Sequence, residues 1–135
     1  MILVDAGPLI ALLDRDDRDH ERCTNALADL SGPLITTWPA LTEAIYLLGD
    51  RTGWTGQELL WRLLFRGDLV IEALEDSSVK RSYDLMKKYR DTPMDLADAT
   101  LVALAESRGL SRIFTLDSDF RIYRIKGRRA FELVP

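Results

Sequence analysis

Carboxylates are the side chains of this sequence that are best placed to do chemistry. Asp5 directly follows the apolar run Ile-Leu-Val, and Asp117 follows Ile-Phe-Thr-Leu. Glu43 lies in an otherwise apolar stretch, and Asp98 comes three residues after Asp95 and just before a run rich in Ala and Leu. A carboxylate in apolar surroundings needs a partner, and oxygen atoms are the ligands that Mg²⁺ prefers. If these acids converge, they would bind Mg²⁺ or Mn²⁺ and support phosphodiester hydrolysis by metal-activated water.

Each acid also has a structural explanation when it is taken alone. Asp5, Asp95 and Asp119 stand where Asp caps a helix or a helical turn, and Glu43 in a first turn would favour the helix dipole. Asp98 is harder to explain in this way, because it lies deeper in its helix and beside apolar residues. The combination of acids, rather than any one of them, therefore predicts a metal site.

The scarcity of histidine and cysteine excludes whole classes of site. His20 and Cys23 are the only residues of their types. A Ser-His-Asp or Cys-His arrangement would depend on that one histidine, and a structural zinc site would lack ligands. The glycine motifs of P-loop and dinucleotide sites are also missing. A phosphate-accepting receiver domain would need Asp after a middle strand, where this sequence has Glu72.

Alternating apolar runs and helical patterns predict an α/β fold. We expect strands at 2–5, 34–36, 69–71 and 113–115, with a fifth at 131–134. The spacing predicts helices at about 8–13, 19–30, 37–49, 55–64, 76–90 and 94–108. These elements form a single domain over 1–135, with a mostly parallel four- to five-stranded sheet covered on both faces. Because sites in such sheets lie at the carboxyl ends of strands, Asp5 and Asp117 are expected at the site. Thr115 can donate a hydrogen bond to a carboxylate or a substrate oxygen there.

Charge is distributed unevenly along the chain. The net charge is −4, but residues 112–135 hold six basic and three acidic residues, whereas residues 1–111 hold 12 basic and 19 acidic residues. An acidic pocket rimmed by Arg would have this distribution, and so would a protein with a solvated, Arg-rich surface. No apolar run reaches the ~18 residues of a membrane span, and the N-terminus lacks the basic region of a signal peptide. The composition therefore predicts a cytoplasmic protein that does not enter a membrane.

Four segments, in order, resemble the motifs of the PIN-domain nucleases, and within that family those of the VapC-like toxins. The first runs from Ile2 through Asp5 to Asp14, and the second is Leu41-Thr-Glu43-Ala. The third is Pro93-Met-Asp-Leu-Ala-Asp98-Ala, and the fourth is Thr115-Leu-Asp117-Ser-Asp-Phe. One difference is Ala6, since many members have Ser or Thr after the first Asp.

The resemblance implies a three-layer α/β/α sandwich with ribonuclease activity, dependent on Mg²⁺ or Mn²⁺. It implies that Asp5, Glu43, Asp98 and Asp117 form the metal-binding catalytic site, with Asp95 and Asp119 as secondary ligands. It also implies an RNA substrate, a homodimer and a cognate antitoxin protein. Two alternatives stay open, namely an inactive PIN-like module that binds protein and a nuclease that uses the same site on DNA.

Overall fold

A computed structural model describes residues 1–135, and its centre is a five-stranded parallel sheet. The strands of this sheet are β1 (Ile2–Val4), β2 (Leu34–Thr36), β3 (Leu69–Ile71), β4 (Arg112–Phe114) and β7 (Glu132–Val134), in the order β3-β2-β1-β4-β7. The helices are α1 (Ala6–Leu13), α2 (His20–Ala28), α3 (Trp38–Thr52), α4 (Trp54–Arg66), α5 (Asp76–Lys88) and α6 (Leu96–Arg108). The expected α/β fold with a mostly parallel sheet of four to five strands is confirmed, and the sheet has five strands, all parallel.

The side chains of each strand contribute alternately to two cores, because successive side chains point to opposite faces of the sheet. Leu3 of β1 belongs to one core, with Ile35, Ile113 and the apolar residues of α5 and α6. Ile2 and Val4 belong to the other, which is built from α1, α3 and α4. Helices therefore cover both faces of the sheet, which accounts for the continuous apolar runs in the sequence.

The side of the sheet on which the chain adds new strands changes at β1. From β1 the chain first adds β2 and then β3 on one side, and it later returns to place β4 on the other side. Leu3 pairs with Ile35 on one neighbour and with Ile113 on the other. The carboxyl ends of β1 and β4 consequently flank a topological switch point, which is where ligands bind in open parallel sheets.

Two local features differ from the sequence expectation. The helix α4 begins at Trp54 rather than at Thr55, because Gly53 has φ 68° and ψ −156°, a conformation essentially restricted to glycine. A hairpin of β5 (Arg124–Ile125) and β6 (Arg129–Ala130) was not expected, since two-residue strands leave no periodic signal. Its turn has positive φ at Lys126 and Gly127, as in the tight turns that join twisted strands. None of the helices combines the length and the apolar character that crossing a bilayer requires.

Candidate functional site

Asp5 leaves the end of β1 and caps the N-terminus of α1. The backbone N–H of Ala6 donates to Asp5 Oδ1 at 2.8 Å, and the Thr115 hydroxyl donates to Asp5 Oδ2 at 3.0 Å. The side chain is buried, with only 7% of its surface exposed. Both of its partners are neutral, so the carboxylate lacks a compensating positive charge.

Asp98 reaches the same place from the first turn of α6. Asp95 is the N-cap of this helix, and its Oδ1 accepts a hydrogen bond from the Asp98 N–H at 2.8 Å. The Asp98 side chain is also buried, and its Oδ2 accepts a hydrogen bond from the phenol of Tyr123 at 2.8 Å. The helix cap and the phenol together fix the direction of the carboxylate.

Asp117 comes from the loop after β4, and Thr115 connects it to Asp5. The Asp117 N–H donates to the Thr115 hydroxyl oxygen at 3.0 Å, while the hydroxyl hydrogen is directed to Asp5. Asp117 Oδ1 in turn accepts from the Asp119 N–H at 2.8 Å. Thr115 therefore places two acids with one hydroxyl group, whereas Asp119 supports Asp117 through its backbone.

Three of the predicted acids converge. Carboxylate oxygens of Asp5, Asp98 and Asp117 all lie within 4.8 Å of one another. They line a cavity of about 250 Å³, to which Glu43 and Asp95 also contribute. Glu43 is an exposed residue of α3 at the edge of this cavity, and Asp119 lies outside its lining. The structure thus gathers five of the six predicted acids around one cavity and separates three buried or half-buried ones from the two at its rim.

Burial and mutual repulsion favour protonation of these acids. Burial raises the pKa of Asp5 from 3.8 to about 6, and the charges of Glu43 and Asp117 add to the rise, while the hydrogen bonds from Ala6 and Thr115 oppose it. Burial and then the charge of Asp5 raise the pKa of Asp98 still further. Burial, followed by the charges of neighbouring acids, also raises the pKa of Glu43 and of Asp119.

The residues of the cavity fit a divalent cation. No Lys or Arg lines the cavity, and none of the protein's ion pairs involves Asp5, Asp98 or Asp117. Carboxylate oxygens in this number suit hard cations such as Mg²⁺ or Mn²⁺. A cation held by Asp5, Asp98 and Asp117 would supply the positive charge that the site lacks.

A family model for the PIN domain matches residues 2–126, nearly the whole chain. The chain belongs to the PIN-domain family. This PIN domain is 24% identical to ribonuclease VapC26 of Mycobacterium tuberculosis, over 99% of its own length and 100% of that protein. Its fold matches the crystal structure of M. tuberculosis VapC20, which is described as a sarcin-ricin loop cleaving toxin, with a TM-score of 0.82. The two sequences are 18% identical, and the match covers 88% of this chain and 92% of that one. It also matches a chain of a toxin–antitoxin complex from Klebsiella pneumoniae, with a TM-score of 0.68, 20% identity, and coverage of 89% and 90%.

The PIN domain contains one site feature that the sequence did not reveal, namely the contact of the Tyr123 hydroxyl with Asp98. In the sequence Tyr123 is indistinguishable from an ordinary core aromatic residue, and its ring is fully buried against Phe120 and Tyr89. Its hydroxyl nevertheless donates a hydrogen bond to Asp98. Ala6 is buried and contributes only its N–H to Asp5. The hydroxyl beside Asp5 comes instead from Thr115, directly after the end of β4.

Replacing Asp5 should stabilise the metal-free PIN domain at alkaline pH. The pKa of Asp5 in the folded state is about 6, above its ordinary value of 3.8. Folding therefore favours the protonated carboxyl group. The resulting contribution to the free energy of unfolding is complete below pH 3.8 and is lost as the pH rises through 6. In EDTA at pH 8 we expect Asp5→Asn to be more stable than the unmodified protein, by up to roughly 3 kcal/mol, with the difference shrinking toward pH 4. Urea unfolding across this pH range measures the effect. The exposed Asp50→Asn is the control, and equal pH profiles for all three proteins would contradict the interpretation.

Removing the Tyr123 hydroxyl should weaken metal binding without unfolding the protein. Tyr123→Phe keeps the buried ring but deletes the donor that orients Asp98, and the loss of such a supporting hydrogen bond typically reduces metal affinity about 10-fold or more. Mn²⁺ titration by calorimetry measures the change. Tyr89→Phe is the matched control. The ring centroids of Tyr89 and Tyr123 are 5.1 Å apart, but the Tyr89 hydroxyl accepts from the Arg124 N–H and does not contact Asp98. Equal affinities in the two variants would contradict a role for Tyr123.

Proposed function

We propose that this PIN domain is a metal-dependent endoribonuclease and the toxin of a type II toxin–antitoxin pair. The observation that carries the proposal is the convergence of Asp5, Asp98 and Asp117 within 4.8 Å, without a cationic partner, at the switch point of the sheet. The similarity to VapC26, named a ribonuclease, supports RNA as the substrate. The similarity to VapC20, described as a toxin that cleaves an RNA loop, supports the same substrate class.

The proposed chemistry divides the acids between two tasks. A bound Mg²⁺ or Mn²⁺ supplies Lewis acidity to the phosphodiester and lowers the pKa of the attacking water. Asp5, Asp98 and Asp117 would hold the ion, and the Thr115 hydroxyl and the Tyr123 phenol keep two of these carboxylates in place. Glu43 stands at the open edge of the cavity with a raised pKa, so one of its carboxylate oxygens is suited to accept the proton of the attacking water.

Asp95 and Asp119 have narrower roles in this proposal. Asp95 uses one carboxylate oxygen to cap α6, which leaves its second oxygen as a secondary ligand of a hydrated ion. Asp119 lies outside the cavity lining and supports Asp117 through its N–H. We therefore assign Asp119 to the positioning of Asp117 rather than to primary coordination.

Cleavage of RNA should depend on the metal and on Asp98. Asp98→Asn keeps an oxygen that can accept from Tyr123 but removes one negatively charged ligand. We expect the rate of cleavage to fall roughly a thousandfold, because the assistance of the metal is lost. The measurement uses a pool of structured RNAs and matching DNAs, with Mg²⁺, Mn²⁺ or EDTA, and variants checked for equal thermal stability. We expect cleavage of RNA alone, in either metal, and none in EDTA.

Other outcomes of that experiment point to the alternatives. Cleavage of DNA and not RNA would favour a DNA-directed nuclease with the same site. Metal binding without cleavage of either polymer would favour an inactive protein-binding module. Cleavage that persists in folded Asp98→Asn would place the active site elsewhere.

Two exposed apolar surfaces are available for the proposed protein partners. A groove of about 500 Å³ lies between α3, α5 and α6, and its walls include the exposed side chains of Val79, Tyr83 and Leu96. We assign this groove to the homodimer. The second surface is an aromatic stripe on α4, defined by Trp54, Trp61 and Phe65, which recur at helical spacing on one face. We assign this aromatic stripe to the antitoxin, a partner supported by the similarity to a toxin–antitoxin complex.

The two surfaces can be separated by reciprocal substitutions. Leu96→Glu places a charge in the groove and should convert a dimer to a monomer, measured by light scattering, without preventing association with the protein encoded beside this gene. Phe65→Glu alters a side chain that is 80% exposed, and it should abolish that association but leave the dimer intact. If both substitutions affect the same property, or if the unmodified protein is a monomer, the corresponding assignment is wrong.

A further inference from the structure

We infer that Arg22 and Arg121 form a subsite for a phosphate group of the substrate strand, next to the carboxylate cavity. The inference rests on the proposed ribonuclease function and extends it, because it identifies where a phosphate that is not cleaved is held. The two residues are far apart in the sequence, and no sequence motif connects them. Their proximity is visible only in the folded chain.

The two arginines line a second cavity that adjoins the first. This cavity has a volume of about 80 Å³, enough for a few water molecules or one phosphate group. Arg22 enters it from α2, and Arg121 enters from the 3₁₀ turn Ser118–Arg121. Leu116 and Asp117 line both cavities. A strand whose scissile phosphate lies at the carboxylates can therefore reach the arginines by passing Asp117.

Both guanidinium groups of this pair are accessible to an anion. Arg22 makes only a long ion pair with Asp19, at 3.9 Å, and 61% of its side chain is exposed. Arg121 is exposed, and its guanidinium makes no ion pair and no hydrogen bond within the protein, while its carbonyl oxygen accepts from Arg124. Arg is well suited to phosphate, because its planar fork can donate two parallel hydrogen bonds.

The electrostatics of the carboxylate cavity favour such a subsite. A metal ion compensates the acids locally, but Glu43 and Asp95 at the rim still repel the phosphates on either side of the scissile bond. No Lys or Arg lines the carboxylate cavity, so cationic side chains in an adjoining cavity are well placed to offset this repulsion. Contacts of this kind position the backbone and are independent of base sequence.

The other basic residues of the C-terminal segment are engaged elsewhere or lie far from the acids. Arg112 pairs with Glu132 at 3.2 Å, and Arg124 donates to three backbone carbonyls. Arg128 belongs to the β5–β6 hairpin and lines a separate cavity at the C-terminal end of α6. Asp98 is at the opposite end of that helix, about 15 Å away at 1.5 Å per residue. Arg128 is therefore a matched control with the same charge and a different location.

Arg22→Gln and Arg121→Gln test the subsite, with Arg128→Gln as the control. Binding of a short, fluorescent, mixed-sequence single-stranded RNA is measured over a range of salt concentrations, with every protein in an Asp98→Asn background that prevents cleavage. We expect each substitution to weaken binding about tenfold, equally for different sequences, and to reduce the slope of log K against log[salt] by about 0.7. In proteins that retain Asp98, KM should rise with kcat nearly unchanged. Arg121→Lys should retain most of the salt dependence, because the charge is preserved.

The outcomes separate this inference from the function on which it rests. If RNA binds and is cleaved but the Arg22 and Arg121 variants behave like the unmodified protein, the subsite is wrong and the ribonuclease assignment stands. If Arg128→Gln produces the same loss, the attraction is a diffuse effect of net charge and the subsite is equally wrong. If the unmodified protein neither binds nor cleaves RNA, the ribonuclease assignment fails and the subsite fails with it.

Discussion

The repulsion among Asp5, Asp98 and Asp117 is the constraint on which the rest of the structure depends. Their oxygens lie within 4.8 Å of one another, in surroundings where burial limits the screening that water provides. Burial is the main cause of the raised pKa values of Asp5 and Asp98, and the charges of neighbouring acids add to it, so a proton is the simplest source of the missing positive charge. A fold that holds three such groups together without an internal cation could bind one from solution.

Neutral donors keep these acids in position, and this choice has a functional consequence. A Lys or Arg in the same place would form a buried ion pair and compete with any metal. The Thr115 hydroxyl, the Tyr123 phenol and the Ala6 N–H orient the carboxylates without cancelling their charge. Ion pairs are instead placed away from the site, as in the contact of Arg81 with Glu106 at 2.7 Å between α5 and α6. The helices are thus held together by charges that do not perturb the carboxylate cavity.

The sequence predicts the acids better than it predicts their supports. Asp5 and Asp117 could be assigned because each follows an apolar strand, and parallel strands bring their carboxyl ends to one edge. The sheet and its helices follow from apolar periodicity in the same way. Tyr123 could not be assigned, because a buried aromatic ring satisfies the same pattern whether or not its hydroxyl has a partner. The hairpin at 124–130 and the start of α4 were missed because they depend on individual residues with positive φ, which periodicity does not register.

Charge illustrates most clearly why position in the fold matters more than position in the sequence. The C-terminal segment is basic as a whole, but most of its cations serve local structure or lie at the far end of α6. Arg121 alone among them lines the cavity next to the acids, and its partner there is Arg22, from the acidic half of the chain. A count of charges by segment averages over these differences. Because electrostatic attraction falls with distance and with screening by salt, the two arginines beside Asp117 weigh more on a bound phosphate than the more numerous cations on the hairpin.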